Sequence, residues 1–318
     1  MKAIVFNKYG SPDVLKLMEV EKPTPKDDEV LIKIYATALN PLDWHVMRGA
    51  PFLARMAMGF FKPKFKILGA DIAGKVEAVG ENVKQFNPGD EVFGDIFSSG
   101  LGGLAEYVCT SQNTLVLKPE KITFEEAAAV PVGALTALTA LREVGKVERG
   151  QKVLINGASG GVGTFTVQIA RYFDAEVSGV CSTGNIEMVK LMGAKKVIDY
   201  TKDDLVRREV KYDLIVDNVG NLSVKDFNKL LTPGGIAAVV GFTNMTRILD
   251  ISLRGGKNIR MVNVKVNSED LNFLKDLLES GKIKSMIDKV YPLEKAAEAM
   301  SYLEEGHVRG KLIIKIIS

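Results

Sequence analysis

The stretch that decides the fold of this chain is Val153-Leu-Ile-Asn-Gly-Ala-Ser-Gly-Gly-Val-Gly-Thr-Phe-Thr-Val-Gln-Ile-Ala170. It begins with a short apolar run that predicts a buried strand, and Phe165, Ile169 and Phe173 then follow at helical spacing. The glycines between this strand and this helix predict a sharp turn, in which backbone N–H groups and the N-terminus of the helix surround one anion. Alanine replaces the first glycine of the G-x-G-x-x-G fingerprint, in Ala158-Ser-Gly-Gly-Val-Gly163. A dinucleotide is the first hypothesis for the ligand, and a tight turn without a ligand is the alternative.

Length and composition set the broad class. The 318 residues suggest one large or two medium domains. A hydrophobic content of 46%, a charged content of 25% and a net charge of +3 are ordinary for a soluble globular protein and do not indicate a nucleic-acid partner. The two cysteines, Cys109 and Cys181, lie far apart, and no signal peptide or membrane-length apolar stretch is visible. We therefore expect a cytoplasmic location.

The rhythm of predicted elements changes along the chain. Up to about residue 115, short strand patterns alternate with Pro and Gly turn signals, which is typical of an antiparallel, partly open β-barrel. From about residue 120, strands alternate with helices, which predicts a doubly wound parallel sheet. The last fifty residues, with an amphipathic helix at Glu269–Ser280 and a final strand at Lys311–Ile317, are expected to return to the first domain. The predicted domains are 1–119 with 266–318, and 120–265.

Landmark motifs are spread over nearly the whole chain. They are Leu39-Asn-Pro-Leu-Asp43, Leu68-Gly-Ala-Asp-Ile-Ala-Gly-Lys-Val76, Pro88-Gly-Asp-Glu-Val-Phe-Gly94, Ala105-Glu-Tyr107, Val132-Gly-Ala-Leu-Thr-Ala137, Gly157–Gly163 and Glu305-Gly-His-Val-Arg-Gly-Lys311. In this order they resemble the medium-chain dehydrogenase/reductase superfamily, and more narrowly its zinc-independent quinone oxidoreductases, the zeta-crystallin-like group. The resemblance implies an α/β protein with a GroES-like barrel domain and a Rossmann domain. It also implies that substrate and nicotinamide meet in the cleft between them. Homodimers and tetramers are both common in such families, and a homodimer is expected here.

The zinc ligands of related alcohol dehydrogenases are missing from this chain. The resemblance places Asn40 where those enzymes have their first cysteine, Ala70 where they have histidine, and Pro131 near their other cysteine. A tetrahedral zinc site needs such side chains to converge. The sequence therefore predicts no zinc, which favours reduction of an acceptor that is already electrophilic.

The segment after the second Rossmann strand predicts which nicotinamide is bound. Gly179–Asn185 contains no acid to hold a ribose hydroxyl or to repel a 2′-phosphate, so NADPH is expected. Ser182 and Thr183 can donate hydroxyl hydrogens to that phosphate, although they could instead only cap the next helix. The resemblance adds Tyr200 as a phosphate contact, while Gly184 replaces an arginine often found in this loop, so the discrimination against NADH is expected to be looser.

The resemblance also assigns the remaining cofactor positions. Thr136 and the Gly241-Phe242-Thr243 turn would bracket the nicotinamide, and Val264 would lie on the strand behind it. The predicted cofactor-binding residues are Thr136, Ser159, Gly160, Gly161, Val162, Ser182, Thr183, Tyr200, Asn218, Gly241, Phe242, Thr243 and Val264.

Two residues are candidates for the reaction itself. Asn40 can donate an amide hydrogen bond to an acceptor oxygen, and His45 can deliver the proton that completes a two-electron reduction. A half-buried or surface His45 without a catalytic role is slightly favoured over that role. The expected reaction is hydride transfer to a small hydrophobic quinone. The alternatives are reduction of the carbon–carbon double bond of an enone, alkenal or enoyl thioester, and a non-catalytic NADPH-binding protein with a structural or redox-sensing role.

Residues 50–66 form an unusual apolar and basic insert close to Asn40. Five of the residues from Arg48 to Lys66 are basic and none is acidic. The segment is interpreted first as a lid or pocket wall over a flat hydrophobic substrate. An ordinary packed helix with solvated lysines comes next, and contact with a membrane surface is the least favoured of the three.

Overall fold

The computed structural model describes residues 1–241 and 245–317 and divides the chain into two compact units. The first unit is Met1–Val132, Val266–Ser280 and Ser285–Ser318, and the second is Gly133–Lys265 with Gly281–Lys284. In the described residues, the strands are β1 (Lys2–Val5), β2 (Lys16–Glu19), β3 (Glu29–Leu39), β4 (Asp71–Val79), β5 (Glu91–Asp95), β6 (Tyr107–Ser111), β7 (Leu115–Leu117), β8 (Lys152–Asn156), β9 (Glu176–Cys181), β10 (Lys196–Asp199), β11 (Tyr212–Asp217), β12 (Leu231–Val239), β13 (Ile259–Met261), β14 (Ile287–Pro292) and β15 (Lys311–Lys315). The α-helices are α1 (Pro41–Arg48), α2 (Arg55–Met58), α3 (Phe124–Ala128), α4 (Pro131–Leu138), α5 (Gly161–Tyr172), α6 (Ile186–Leu191), α7 (Val224–Leu230), α8 (Met245–Arg254), α9 (Ser268–Glu279) and α10 (Ala296–Glu304).

The first unit is organised around one long strand, β3. Its apolar, β-branched residues Val30, Ile32 and Ile34 are fully buried. One edge of β3 pairs with β4, and the other edge is shared by β6, opposite Glu29–Lys33, and β15, opposite Ala36–Leu39. The sheet order is β14-β15-β3-β4-β5-β7, and β1 and β2 form a separate antiparallel pair. The return of β15 to this sheet explains why the C-terminal residues belong to the first unit, and only the β14–β15 pair departs from the expected antiparallel pattern.

The second unit is a parallel six-stranded sheet in the order β10-β9-β8-β11-β12-β13. Val153, Leu154 and Ile155 of β8 are fully buried, as expected for a central strand covered on both faces. The chain leaves β8 toward β9 on one side and reaches β11 on the other, so the strand order reverses beside β8. A ligand of such a sheet binds outside the carboxyl ends of the strands at this reversal. The predicted fold class, a GroES-like domain with a Rossmann domain, is confirmed.

The boundary between the units differs from the predicted one. Residues 120–132 belong to the first unit because α3 packs on its sheet, where the rings of Tyr35 and Phe124 stack 4.4 Å apart. Gly281–Lys284 belongs to the second unit, in which Gln168 exchanges two hydrogen bonds with the backbone of Lys284. The helical pattern after residue 120 thus precedes the second unit and does not begin it.

Candidate functional site

The glycine-rich turn of the second unit joins β8 to α5. Gly157 has a φ of +75°, which a side chain disfavours, and a Cβ on Gly163 would lie 2.0 Å from the carbonyl oxygen of Gly157. A Cβ on Gly160 would meet only that same oxygen, at 3.7 Å, so the outer side of the turn is open. Since the first N–H groups of a helix have no partner within it, α5 presents donors to an anion at this turn.

Asn185 joins this turn to the tip of β9. Its Nδ2 donates to Ser159 Oγ at 3.2 Å and to Ser182 Oγ at 3.1 Å. Its Oδ1 is buried and has no hydrogen-bond partner in the structure. A buried acceptor without a partner is costly unless a ligand satisfies it. The predicted residues Ser159 and Ser182 are therefore brought together, and Asn185 was not predicted.

A carboxylate from β10 lies beside Thr183. Parallel pairing places Asp199 opposite Cys181, and Thr183 Oγ1 donates to Asp199 Oδ2 at 2.5 Å. The other oxygen of Asp199 accepts from the N–H of Thr201 at 3.0 Å and from its hydroxyl at 2.7 Å. These hydrogen bonds, that of Thr183 first, lower the pKa of Asp199, so the group stays ionised. As expected, residues 179–185, at the end of β9 and after it, contain no acid. The neighbouring strand β10, however, places Asp199 beside them.

The carboxyl ends of β8 and β11 carry a second polar group. Asn156 Nδ2 donates to Asp217 Oδ1 and to Asn221 Oδ1, both at 2.8 Å. Burial raises the pKa of Asp217, whose Oδ2 has no partner in the structure. Asn218 Nδ2 donates to the carbonyl oxygen of Asn156 at 3.1 Å, and its buried Oδ1 has no hydrogen-bond partner among the residues that the structure describes. The predicted residue Asn218 thus lies at the sheet end with an unsatisfied acceptor.

The other predicted cofactor positions lie in several parts of the second unit. Thr136 is buried on α4, and Tyr200 is 58% exposed after β10. Gly241 follows β12, where a Cβ would lie 2.5 Å from the carbonyl oxygen of Asn218. Val264 does not lie on a strand, because β13 ends at Met261. Phe242 and Thr243 lie outside the described residues.

The first unit holds a buried polar cluster at the start of α1. Asp43 Oδ2 accepts from the backbone N–H of Asn40 at 2.8 Å, and its Oδ1 accepts from that of Gly69 at 2.8 Å. Asp43 therefore ties the beginning of α1 to the segment before β4. Burial raises the pKa of this fully buried carboxyl to about 6.

Lys311 is the cation of this cluster, and it was not predicted. Its Nζ donates to Asn40 Oδ1 at 2.5 Å and to Asp71 Oδ2 at 2.8 Å, and both partners are buried. Asn40 Nδ2 donates to Asp71 Oδ2 at 2.9 Å and to the carbonyl oxygen of Ala38 at 3.3 Å. The N–H of Val132 donates to the other oxygen of Asp71 at 2.7 Å. Both amide hydrogens of Asn40 are thus used within the first unit.

Asp95 adds another buried carboxyl beside this cluster. The pairing of β4 with β5 places it opposite Asp71, and its Oδ1 accepts from the N–H of Phe97 at 2.9 Å. Burial, followed by the charge of Asp71, raises the pKa of Asp95 to about 7. The cluster therefore contains more acid groups than cations.

His45 lies on α1 with its ring against its neighbour. The rings of Trp44 and His45 stack 3.7 Å apart, and His45 Nδ1 lies 3.2 Å from the carbonyl oxygen of Ala50. This contact requires a hydrogen on Nδ1, since a carbonyl only accepts. Burial lowers the pKa of His45, so the imidazole is neutral at pH 7. The geometry is that of a half-buried histidine whose ring nitrogen is bonded to the backbone.

No group of three or more His, Cys, Asp or Glu side chains within residues 1–241 and 245–317 is arranged to hold a metal ion. At the position that resembles the zinc site of related enzymes, the ammonium of Lys311 contacts Asn40 and Asp71 instead.

Comparison with known proteins agrees with this geometry. Residues 26–120 match the alcohol dehydrogenase GroES-like domain, and residues 192–314 match the family described as zinc-binding dehydrogenase. The chloroplast envelope quinone oxidoreductase homolog of Arabidopsis thaliana is 36% identical over 99% of this chain and 98% of its own length. The NADPH-dependent alkenal/one oxidoreductase of the same plant is 34% identical over 99% of this chain and 79% of its own. The solved quinone oxidoreductase of Coxiella burnetii is 33% identical, covers 100% of this chain and 99% of its own, and superimposes with a TM-score of 0.91.

The chain belongs to the quinone oxidoreductase group of the medium-chain dehydrogenase/reductase superfamily. The resemblance that the motifs carried is thereby confirmed. Members of this group are NAD(P)H-dependent oxidoreductases, so the chain is an enzyme of that class. The glycine turn, with its open outer face, and the unsatisfied oxygens of Asn185 and Asn218 fit a dinucleotide.

Sequence reasoning missed Asn185, Asp199 and Lys311 for one shared reason. Each acts through a partner that only strand pairing brings close: β9 with the turn after β8, β10 with β9, and β15 with β3. An explicit register for the parallel strands would have placed Asp199 beside the tip of β9. The apposition of Lys311 and Asn40 follows only from the return of the C-terminal strand.

Proposed function

We propose that this enzyme is a zinc-independent, NADPH-dependent oxidoreductase that reduces a small hydrophobic quinone. The observation that carries the cofactor part is the turn after β8, with an unsatisfied acceptor on Asn185 beside it. A bound nicotinamide supplies a hydride from its C4 position. Gly160, Gly161 and Val162 would hold the pyrophosphate by backbone N–H groups, while Asn218 and Thr136 would hold the nicotinamide end.

Zinc independence is supported by the contacts of Lys311. Its ammonium satisfies Asn40 Oδ1 and neutralises Asp71, two groups that would otherwise be free to attract a cation. A metal at this position would have to displace a buried, doubly bonded ammonium.

A preference for NADPH is supported by Ser182 and Tyr200, whose hydroxyls lie in the loops after β9 and β10. Thr183 supports it less than the sequence predicts, because its hydroxyl hydrogen is donated to Asp199. The ionised Asp199 also repels a 2′-phosphate. We therefore propose that NADPH is favoured over NADH by a modest factor only.

Both amide hydrogens of Asn40 are already donated within the first unit, so Asn40 has none left to polarise a substrate carbonyl. This favours a quinone as the acceptor. An enone or alkenal needs its carbonyl polarised before hydride reaches the conjugated carbon, whereas a quinone is electrophilic by itself. Reduction of a quinone consumes one hydride and one proton and yields the hydroquinone. Because His45 is a neutral imidazole at pH 7, it is not the acidic imidazolium that donates a proton readily. We therefore propose that water supplies the proton.

The test is a substrate panel with the full chain. NADPH oxidation is followed by its absorbance with a flat ortho-quinone, with an alkenal and with an enone, and each is repeated with NADH. Fast turnover of the quinone with NADPH is expected. Turnover of only the enone or alkenal would transfer the function to double-bond reduction, and NADPH binding without any turnover would indicate a binding protein.

We also propose that the enzyme is a cytoplasmic homodimer. Both Cys109 and Cys181 are free thiols, which fits a reducing compartment. Cell fractionation tests the location and light scattering tests the assembly.

A further inference from the structure

An exposed apolar surface lies in the segment between α1 and β4. Phe52, Leu53, Met56, Phe60 and Phe61 are all exposed, and Met56 and Phe61 are 79% and 88% exposed. The rings of Phe52 and Phe60 contact each other at 5.5 Å between centroids, and those of Phe60 and Phe61 at 4.9 Å. A cluster of large side chains in contact with one another but not buried marks an interaction site. The structure thus disfavours an ordinary packed helix for this segment.

The segment is fastened to the first unit from its inner side. The hydroxyl of Tyr9 donates to the carbonyl oxygens of Met58 and Gly59, at 2.9 and 2.6 Å. Arg55 Nε donates to the carbonyl oxygen of Gly49 at 3.0 Å, and its guanidinium lies 4.4 Å from the centre of the Tyr9 ring. These contacts hold the backbone in place, so the outward position of the five apolar side chains is a property of the fold.

The chain that directly follows Phe61 carries exposed cations that no carboxylate in the described residues neutralises. Lys62, Lys64 and Lys66 are exposed and, among the described residues, have no carboxylate within ion-pair distance. No acidic residue occurs from Arg48 to Lys66, and Arg48 is already paired with Glu304 at 2.6 Å. A partner for this surface must offer both an apolar phase and negative charge.

We propose that this surface docks on an anionic lipid bilayer. Apolar side chains that enter the boundary between headgroups and acyl chains, with lysines at the headgroups, are the recurring means of peripheral membrane attachment. A neutral hydrophobic substrate would pack against the aromatic rings but would offer no negative charge to the lysines. A second copy of this chain, seated about a two-fold axis, would bring the two sets of lysines together. None of the described helices is long and apolar enough to cross a bilayer, so the attachment is at the surface.

Sedimentation of the full-length protein with vesicles tests the docking. One set of vesicles is phosphatidylcholine alone, and the other contains about a third phosphatidylglycerol. We expect binding to the anionic set that weakens as salt is raised. Lys62→Gln/Lys64→Gln/Lys66→Gln should lower the partition coefficient roughly 100-fold, at about fivefold per lysine. Phe52→Ser/Phe61→Ser should lower it at least about tenfold.

Matched controls use exposed residues elsewhere. Leu191→Ser/Leu253→Ser removes side chains that are 84% and 81% exposed, and Lys8→Gln/Lys16→Gln/Lys121→Gln removes three exposed lysines. Both control variants should bind vesicles as the wild type does. Equal losses in the controls, or no binding of the wild type to anionic vesicles, would overturn the proposal.

Two further measurements, made without vesicles, distinguish a bound substrate and a second copy of the chain from a lipid surface. They are activity with a soluble quinone and the oligomer size by light scattering. An unchanged KM in Phe52→Ser/Phe61→Ser supports a docking surface. A raised KM with vesicle binding intact would make the segment a substrate wall. A smaller oligomer with vesicle binding intact would make it an interface between copies.

Discussion

Replacement of Lys311 by methionine should destabilise the first unit by about 3–5 kcal/mol. The ammonium and its partner Asp71 are 2% and 0% exposed, so the variant leaves a buried carboxylate with no counter-charge. It also removes the donor to Asn40 Oδ1. The control is Lys315→Met on the same strand, because Lys315 is 45% exposed and lies 3.6 Å from Glu125. That solvent-screened pair should contribute no more than about 1 kcal/mol.

Urea unfolding followed by the fluorescence of Trp44, the only tryptophan, reports on the first unit. The double variant Lys311→Met/Asp71→Asn should recover about 2 kcal/mol of the loss, because asparagine removes the lone charge and still accepts from the N–H of Val132. If Lys311→Met lowers the free energy of unfolding no more than Lys315→Met does, the buried pair does not stabilise this cluster.

Three further predictions concern the other polar groups. Asp199→Asn should raise the NADPH-to-NADH ratio of kcat/KM about fivefold, since it removes the charge and keeps an acceptor for Thr183. An unchanged ratio would speak against repulsion between Asp199 and the 2′-phosphate. Asn185→Ala should raise the NADPH dissociation constant about tenfold in a fluorescence titration, whereas the exposed control Asn272→Ala should not. Asp95 has its pKa raised to about 7 in the folded state, so the folded protein binds more protons than the unfolded chain between about pH 4 and pH 7. The free energy of unfolding should therefore fall as pH rises through that window, and Asp95→Asn should flatten the fall.

The two-unit fold could be predicted because its signals are local. The apolar run of β8 and the glycines after it define a strand, a turn and a helix from one stretch of sequence. Strand centres in the second unit were likewise predictable, since buried parallel strands are apolar along their whole length. The early end of β13 was not, because Val262 and Val264 continue the apolar alternation beyond Met261, whose pairing with Val239 is the last one between β12 and β13.

The candidate site was predicted only in part, because its chemistry depends on pairing between distant segments. Asn40 was identified from its motif, but the loss of its free amide hydrogens depends on Asp71 and Lys311, which adjacent strands bring in. Asp199 belongs to the third strand, whereas the acid expected in an NADH-binding fold belongs to the second. Local patterns thus located the residues, and strand register decided what each can donate or accept.

If hydride transfer to a quinone needs no metal in this enzyme, turnover must persist after metal ions are removed. The enzyme is treated with a chelator, its metal content is determined, and NADPH oxidation with an ortho-quinone is then followed in metal-free buffer. Full turnover is expected at a zinc content below about one atom per ten chains, with no gain when zinc is added. Loss of turnover on chelation, restored by zinc, would contradict it.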